Sequence, residues 1–86
     1  MKKIISQILK QKLNASVVEV QDDSSLHAGH SETQKHGGGH YTVLVVSEQF
    51  QGHGLIKRHR MVYSALAEIK DKIHALSIRA LTTKEI

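Results

Sequence analysis

The 86-residue sequence contains no cysteine, proline or tryptophan, and only one phenylalanine and two tyrosines. Without cysteine, the chain can form no disulfide, has no thiol nucleophile and cannot hold zinc or an iron–sulfur cluster on its own thiolates. The scarcity of aromatic side chains argues against a stacking platform for single-stranded nucleic acid. The sequence also lacks a secretory signal and an apolar run long enough to span a membrane, so a cytoplasmic protein is the default expectation.

Histidine is the residue type present in excess, with seven copies in the chain. It is the commonest metal-ligating side chain and it titrates near neutral pH. The formal net charge is +4 with histidine neutral. A basic balance of this size permits nucleic acid or an acidic protein as a partner but demands neither.

Enzyme signatures are missing. The sequence contains no nucleophile elbow, no phosphate-binding loop and no dinucleotide fingerprint. Paired carboxylates occur only at Asp22 and Asp23, before a cluster of turn-forming residues, where turn chemistry explains them. We therefore expect a non-enzymatic protein.

Hydrophobic periodicity predicts one α+β domain over residues 1–86, with the order α-β-β-α-β-α. Between the first two strands, residues 24–39 have little apolar content and no period, and they end in three glycines. This segment is predicted to be a flexible, histidine-rich loop. The predicted elements are helices at 2–13 and 55–72, strands at 15–21, 41–47 and 74–81, and a short terminal helix at Thr82–Glu85, which has capping-box spacing. The nearly continuous apolar run at 41–47 predicts a central strand that is covered on at least one face.

The segment from Phe50 to Leu66 is the most informative part of the chain, because it combines a turn, an apolar helical face and a basic run. Three cations, Lys57, Arg58 and Arg60, fall within four residues. A solvated basic face is one interpretation, and contact with nucleic-acid phosphates, with Arg58 or Arg60 reaching a base edge, is another. The residues predicted to share the apolar face of this helix are Leu55, Val62, Leu66, Ile69 and Ile73.

Candidate metal ligands occur at two places in the chain, as a histidine pair in the predicted loop and as a single histidine at the last predicted strand. His27 and His30 form a close pair in the predicted loop, which also carries His36 and is followed directly by His40. Such a pair can bind a transition metal loosely. His74 opens the last predicted strand, where a hydrogen-bonded structural histidine and a metal ligand are both consistent with the pattern.

Taken together, the motifs resemble those of the BolA family across roughly residues 2–86. The carrying features are Phe50-x-Gly52, Leu55-x-x-Arg58-His59-Arg60-x-Val62, Ile73-His74-Ala75-Leu76 and Thr82-x-x-Glu85, with Asp22-x-Ser24-x-x-His27, His40-Tyr41 and Val45-Val46-Ser47 before them. The resemblance implies an αββααβ(α) domain of the class II KH type, with a three-stranded sheet and helices packed on one face. The GxxG loop of nucleic-acid-binding KH domains is missing, since the local sequence is Gly52-His53-Gly54.

The resemblance also implies a function. BolA proteins are not known as enzymes, and they pair with monothiol glutaredoxins around a shared [2Fe–2S] cluster, to which the glutaredoxin and a bound glutathione each bring a thiolate. The positions that match the histidine ligands of the family are His74 and His27, with His30 as a second loop candidate. Some members bind promoter DNA through a helix-turn-helix region, which here contains Lys57, Arg58 and Arg60. Whether the free protein is a monomer or a weak homodimer is left open.

Overall fold

A computed structural model describes residues 1–24 and 39–86. The predicted element order is confirmed, and the predicted loop at 24–39 lies almost entirely outside the described residues. The elements are α1 (Lys2–Lys12), β1 (Val17–Asp22), β2 (Gly39–Val46), α2 (Leu55–Ala65) and β3 (Ile73–Leu81), with short 3₁₀ segments at Glu48–Phe50, Ala67–Lys72 and Thr83–Glu85. None of the helices in these two described stretches is long and apolar enough to cross a membrane.

The sheet has the strand order β1-β2-β3, so the most apolar strand is central, as its sequence predicts. Strand β1 pairs with β2 antiparallel, whereas β3 pairs with β2 in parallel. A parallel neighbour requires a crossover connection, and α2 lies in that connection. The result is a mixed sheet with β1 and β3 as its edges.

The core lies on one face of the sheet, under the two helices. Because side chains alternate along a strand, Tyr41, Val43 and Val45 point to that face and are buried, while the alternating residues His40, Thr42 and Leu44 are half-buried. The helices and the turn complete the core with buried apolar side chains, chiefly Ile5, Leu9, Phe50, Val62 and Leu66.

Ser47 joins α1 to the turn that precedes α2. Its buried hydroxyl donates to the carbonyl oxygen of Leu13 at 2.6 Å and accepts from the backbone N–H of Gln49 at 3.1 Å. This second bond caps the 3₁₀ turn that buries Phe50. Gly52 then adopts φ +80°, a conformation that favours glycine, and leads the chain toward α2.

The predicted helix over 55–72 is wrong at its C-terminal end. Helix α2 stops at Ala65, where the N–H of Leu66 is shared between the carbonyls of Val62 and Tyr63 at 3.1 and 3.2 Å. A 3₁₀ segment follows, interrupted by Ile69 at φ −119°. No proline or glycine marks this change. The 3₁₀ segment leads directly into β3, and Ile69 and Ile73 still pack against the core.

The predicted apolar face of α2 is also wrong at its first residue. Leu55 is 68% exposed, although Val62 and Leu66 are buried as expected. The first turn of the helix extends beyond the core, so a residue with the correct periodicity has nothing to pack against. Ile56 and Tyr63 are exposed as well, at 71% and 52%.

Candidate metal-ligand and partner-binding site

His74 is the second residue of β3, and its side chain is exposed. An irregularity in the pairing of β2 with β3 lies beside it. Gly39 pairs with Ile73 and His40 pairs with Ala75, so β3 has one more residue than β2 at this point, and that residue is His74. A bulge of this kind re-aims a side chain at the end of a ladder.

His40 lies next to His74. The centres of the two imidazole rings are 5.0 Å apart, with 49° between the ring planes. The backbone of His40 is held on both sides, because its N–H donates to Ser24 Oγ at 3.1 Å and its carbonyl accepts from the N–H of Asp23 at 2.7 Å. The second residues of two parallel strands therefore bring two imidazoles together at one end of the sheet.

Gly39 provides room for this arrangement. A Cβ atom at this position would lie 2.7 Å from the ring and hydroxyl of Tyr41, closer than real contacts allow. Tyr41 is only 7% exposed, and burial together with the charge of Asp22 raises the pKa of its hydroxyl. Any larger residue where β2 begins, one residue before His40, would therefore force the Tyr41 side chain to shift.

The other two predicted ligands, His27 and His30, fall in residues 25–38, outside the described part of the chain. Within residues 1–24 and 39–86, no group of three or more His, Asp or Glu side chains is arranged to hold a metal ion. The described residues therefore offer His74 with His40 as their pair of imidazoles.

Arg58, one of the three predicted DNA-binding cations, is engaged by the fold. Its guanidinium forms a fork with both carboxylate oxygens of Glu85 at 2.7 and 3.1 Å. It also donates to the carbonyls of His53 at 2.8 Å and Ala80 at 2.9 Å, and it lies 5.9 Å from the centre of the Phe50 ring. Its side chain is only 12% exposed. These contacts tie α2 to the C-terminal end of β3.

Glu85 completes this network. The Arg58 fork, reinforced by the backbone N–H of Thr82 at 2.7 Å, lowers the pKa of the Glu85 carboxyl to about 2. The predicted short terminal helix is one 3₁₀ turn, and the predicted capping contact between Glu85 and Thr82 is confirmed. A second carboxylate, Glu48, accepts from the N–H and hydroxyl of Thr83 at 2.8 and 2.7 Å, which lowers its pKa.

His59, between Arg58 and Arg60, is half-buried. Its Nε2 atom is buried and has no hydrogen-bond partner among the described residues. The Nε2 end of the imidazole therefore lies inside the domain, whereas Lys57 and Arg60 are exposed.

Lys57 and Arg60 are both exposed and line a groove of about 370 Å³ between α1 and α2. Lys12, at the end of α1, contributes a third cation to the groove and lies 3.2 Å from the carboxylate of Glu68. The two helices hold seven of the chain's twelve Lys and Arg residues and none of its eight Asp and Glu residues. The helical layer is thus the basic side of the domain.

Sequence reasoning missed two of these residues. His40 carried a usable signal, since it directly follows the glycine run and begins the most apolar strand, but only the strand pairing shows that it meets His74. Lys12 was recognisable as a basic residue at the end of a helix, whereas its position beside α2 depends on helix packing.

Comparison with known proteins gives a consistent result. The BolA family model, described as BolA-like protein, matches residues 9–85. DNA-binding transcriptional regulator BolA of Escherichia coli (strain K12) is 34% identical over 87 residues, covering 95% of this chain and 79% of that protein. SufE-like protein 1, chloroplastic/mitochondrial, of Arabidopsis thaliana is 40% identical over 87 residues, covering 95% of this chain and 24% of that protein.

Solved structures agree. The BolA domain of SufE1 from Arabidopsis thaliana superposes with a TM-score of 0.81 at 40% sequence identity, covering 99% of this chain and 94% of that one. The chain spans between about a quarter and about half the length of several of the curated relatives it matches.

Proposed function

Because the chain belongs to the BolA-like family, we propose that it is a non-enzymatic binding module that pairs with a monothiol glutaredoxin and co-ligates a [2Fe–2S] cluster, in iron–sulfur trafficking or iron regulation. The observation that carries this proposal is the position of His74. Its exposed imidazole stands at the start of an edge strand, where a partner protein can reach it.

The donor set fits such a cluster. The chain has no cysteine, so any ligands it brings to iron must come from other side chains, and two imidazoles replace two thiolates on one iron in Rieske centres. When bound, the cluster supplies a two-iron redox and transfer group whose potential rises with histidine ligation. The glutaredoxin and glutathione bring the thiolates.

In this proposal the chain supplies one ligand from strand β3 and a second ligand from the histidine-rich segment. His74 is the extra residue of β3 at the bulge, but its neighbours Ile73 and Ala75 both pair with the central strand, so its place at the end of the sheet is fixed from both sides. The second ligand comes from the histidine-rich segment, with His27 or His30 as candidates. Neutral imidazole is required for ligation, so assembly is expected to weaken as pH falls and histidine becomes protonated.

Anaerobic reconstitution tests the proposal. The protein is mixed with a monothiol glutaredoxin, glutathione, iron and sulfide, and visible absorption and circular dichroism are recorded for wild type, His74→Ala, His27→Ala and His30→Ala. We expect a heterodimer spectrum distinct from that of the glutaredoxin homodimer, lost in His74→Ala and in one loop variant. His53→Ala, at an exposed turn position, is the matched control. An unchanged spectrum in His74→Ala would refute the assignment.

The basic helical layer favours a second candidate function, the binding of promoter DNA. The similar protein from Escherichia coli is named a DNA-binding transcriptional regulator, and the groove between α1 and α2 gathers Lys12, Lys57 and Arg60. Arg58 belongs to the predicted set, but its guanidinium is held by Glu85 and two backbone carbonyls. Contact with phosphates is therefore assigned chiefly to Lys57 and Arg60, with Lys12 beside them.

Salt dependence of DNA binding tests this second function. The logarithm of the binding constant falls with the logarithm of salt concentration by about 0.9 for each phosphate contact, so Lys57→Ala and Arg60→Ala should each flatten the slope by roughly one unit. Arg79→Ala is the control, because Arg79 pairs with Leu44 on the face of the sheet opposite the helices. Unchanged slopes in Lys57→Ala and Arg60→Ala would remove α2 from the interface, and an equal change in Arg79→Ala would show that the effect is not specific to α2.

A further inference from the structure

The contact between His40 and His74 has geometry suited to a single metal ion. Zinc–nitrogen bonds of about 2.0–2.1 Å at a tetrahedral angle place the ring centres of two imidazoles on the order of 5 Å apart. The observed separation is 5.0 Å, and the planes are tilted by 49° rather than stacked in parallel. The two rings are therefore close enough for one nitrogen of each to bind a common ion.

The surroundings also favour this use. The two side chains come from the starts of adjacent parallel strands, and the hydrogen bonds of His40 to Asp23 and Ser24 fix the backbone on its side. His74 is exposed, which leaves room for water to complete the coordination. Imidazole donors suit zinc, copper, iron and nickel, while the oxygen ligands that magnesium and calcium require are not grouped here among the described residues.

We propose that His40 and His74 form a two-imidazole site for a divalent transition metal ion such as Zn²⁺, available in this chain without any partner. The proposal goes beyond the shared cluster, since it concerns a mononuclear ion and gives His40 a role. With two protein ligands the site is open and exchangeable. A metal held there occupies His74, so it competes with delivery of the same imidazole to a glutaredoxin-bound cluster.

The test is zinc titration of the full chain by isothermal calorimetry, with no glutaredoxin, glutathione or iron present. Loss of a residue that merely orients a metal ligand lowers affinity roughly 10–100-fold. We therefore expect His40→Gln and His74→Gln each to weaken zinc binding by at least about tenfold. The double variant should be little weaker than either single variant, because both side chains bind the same ion.

Two controls separate this site from other histidines. His53→Gln removes an exposed imidazole from the turn before α2 and should leave the affinity unchanged. The paired variant His27→Gln, His30→Gln measures zinc binding by the histidine-rich segment. We expect this paired variant to retain the zinc binding that His40→Gln weakens. Nitrogen-15 NMR of the imidazoles should show zinc-dependent shifts at His40 and His74, and urea unfolding verifies that each variant is folded.

The outcomes are decisive in both directions. Wild-type affinity in His40→Gln, or loss of all zinc binding in the paired loop variant alone, would overturn the proposal. Either result leaves the glutaredoxin proposal standing, because that function requires His74 with a loop histidine. Conversely, zinc binding that depends on His40 and His74 stands even if no cluster forms with a glutaredoxin.

Discussion

At its C-terminal end, β3 is held by a saturated network of ionic and backbone contacts, whereas its N-terminal end exposes the imidazole of His74 beside that of His40. Arg58 and Glu85 satisfy each other and reach the backbone of Ala80 and Thr82. At the other end the side chains meet across a bulge. One strand thus has an end whose polar groups stabilise the fold and an end whose polar groups are accessible to a metal or a partner.

This difference between the two ends of β3 shows how the motif Leu55-x-x-Arg58-His59-Arg60-x-Val62 should be interpreted. Arg58 is charged and lies in a basic run, which favours a binding role when the sequence is considered alone. The structure shows that neighbouring cations on α2 have different surroundings, with Arg58 enclosed and Lys57 and Arg60 exposed. A motif position can therefore mark a contact within the domain as well as a contact with a ligand.

The largest loss of stability is expected from removing the Phe50 ring, which lies beneath Arg58. Phe50 is fully buried beneath Arg58, so Phe50→Ala should lower the free energy of unfolding by about 3–5 kcal/mol, measured by urea denaturation. Leu55→Ala, from the same motif but largely exposed, should change it by less than about 0.5 kcal/mol. Similar losses in both variants would contradict the packing described here.

A smaller loss is expected at the opposite end of β3. Gly39→Ala forces the buried Tyr41 ring to move, and overpacking of this kind typically costs about 1–3 kcal/mol. It should also disturb the adjacent His40 and weaken zinc binding. Gly54→Ala, where an added Cβ meets no atom within 4 Å, is the matched control in the same urea and zinc titrations. An undisturbed Gly39→Ala protein would show that Tyr41 relaxes freely.

The ionic contact between Arg58 and Glu85 should make the free energy of unfolding sensitive to acid. The pKa of Glu85 is lowered from its ordinary 4.5 to about 2, so its carboxylate stabilises the folded state above about pH 4.5, and that contribution is lost as pH falls toward 2. Glu85→Gln should flatten the dependence of unfolding free energy on pH in this window. Glu19→Gln, which removes a carboxylate from an exposed strand position, serves as the control. An unchanged slope in Glu85→Gln would argue that the fork is absent in solution.

The smallest effect on stability should come from His74 itself. Because the side chain is exposed, His74→Ala should change the unfolding free energy by less than about 0.5 kcal/mol while abolishing the heterodimer cluster spectrum. Chemical denaturation and reconstitution on the same protein sample test both parts. Marked destabilisation would instead place His74 among the structural residues, like Arg58 at the other end of the strand.

The sequence by itself determined the order of helices and strands, the central place of β2, the turn at Phe50 and the contact between Thr82 and Glu85. These features depend on local periodicity and on short-range hydrogen bonding, which a pattern of nearby residues can report. The resemblance to the BolA family also came from the sequence, and the family and its fold are confirmed.

Only the tertiary structure decided where α2 ends, why Leu55 stays exposed, that Arg58 is enclosed and that His40 meets His74. Each of these depends on residues far apart in the chain: Arg58 finds Glu85, 27 positions away, and the two histidines meet through the register of parallel strands. Periodicity predicts which side of a helix is apolar, but it does not predict which residues on that side lie against the core and which lie beyond its edge. The roles of the charged and imidazole groups were therefore set by packing and strand register, which local patterns do not contain.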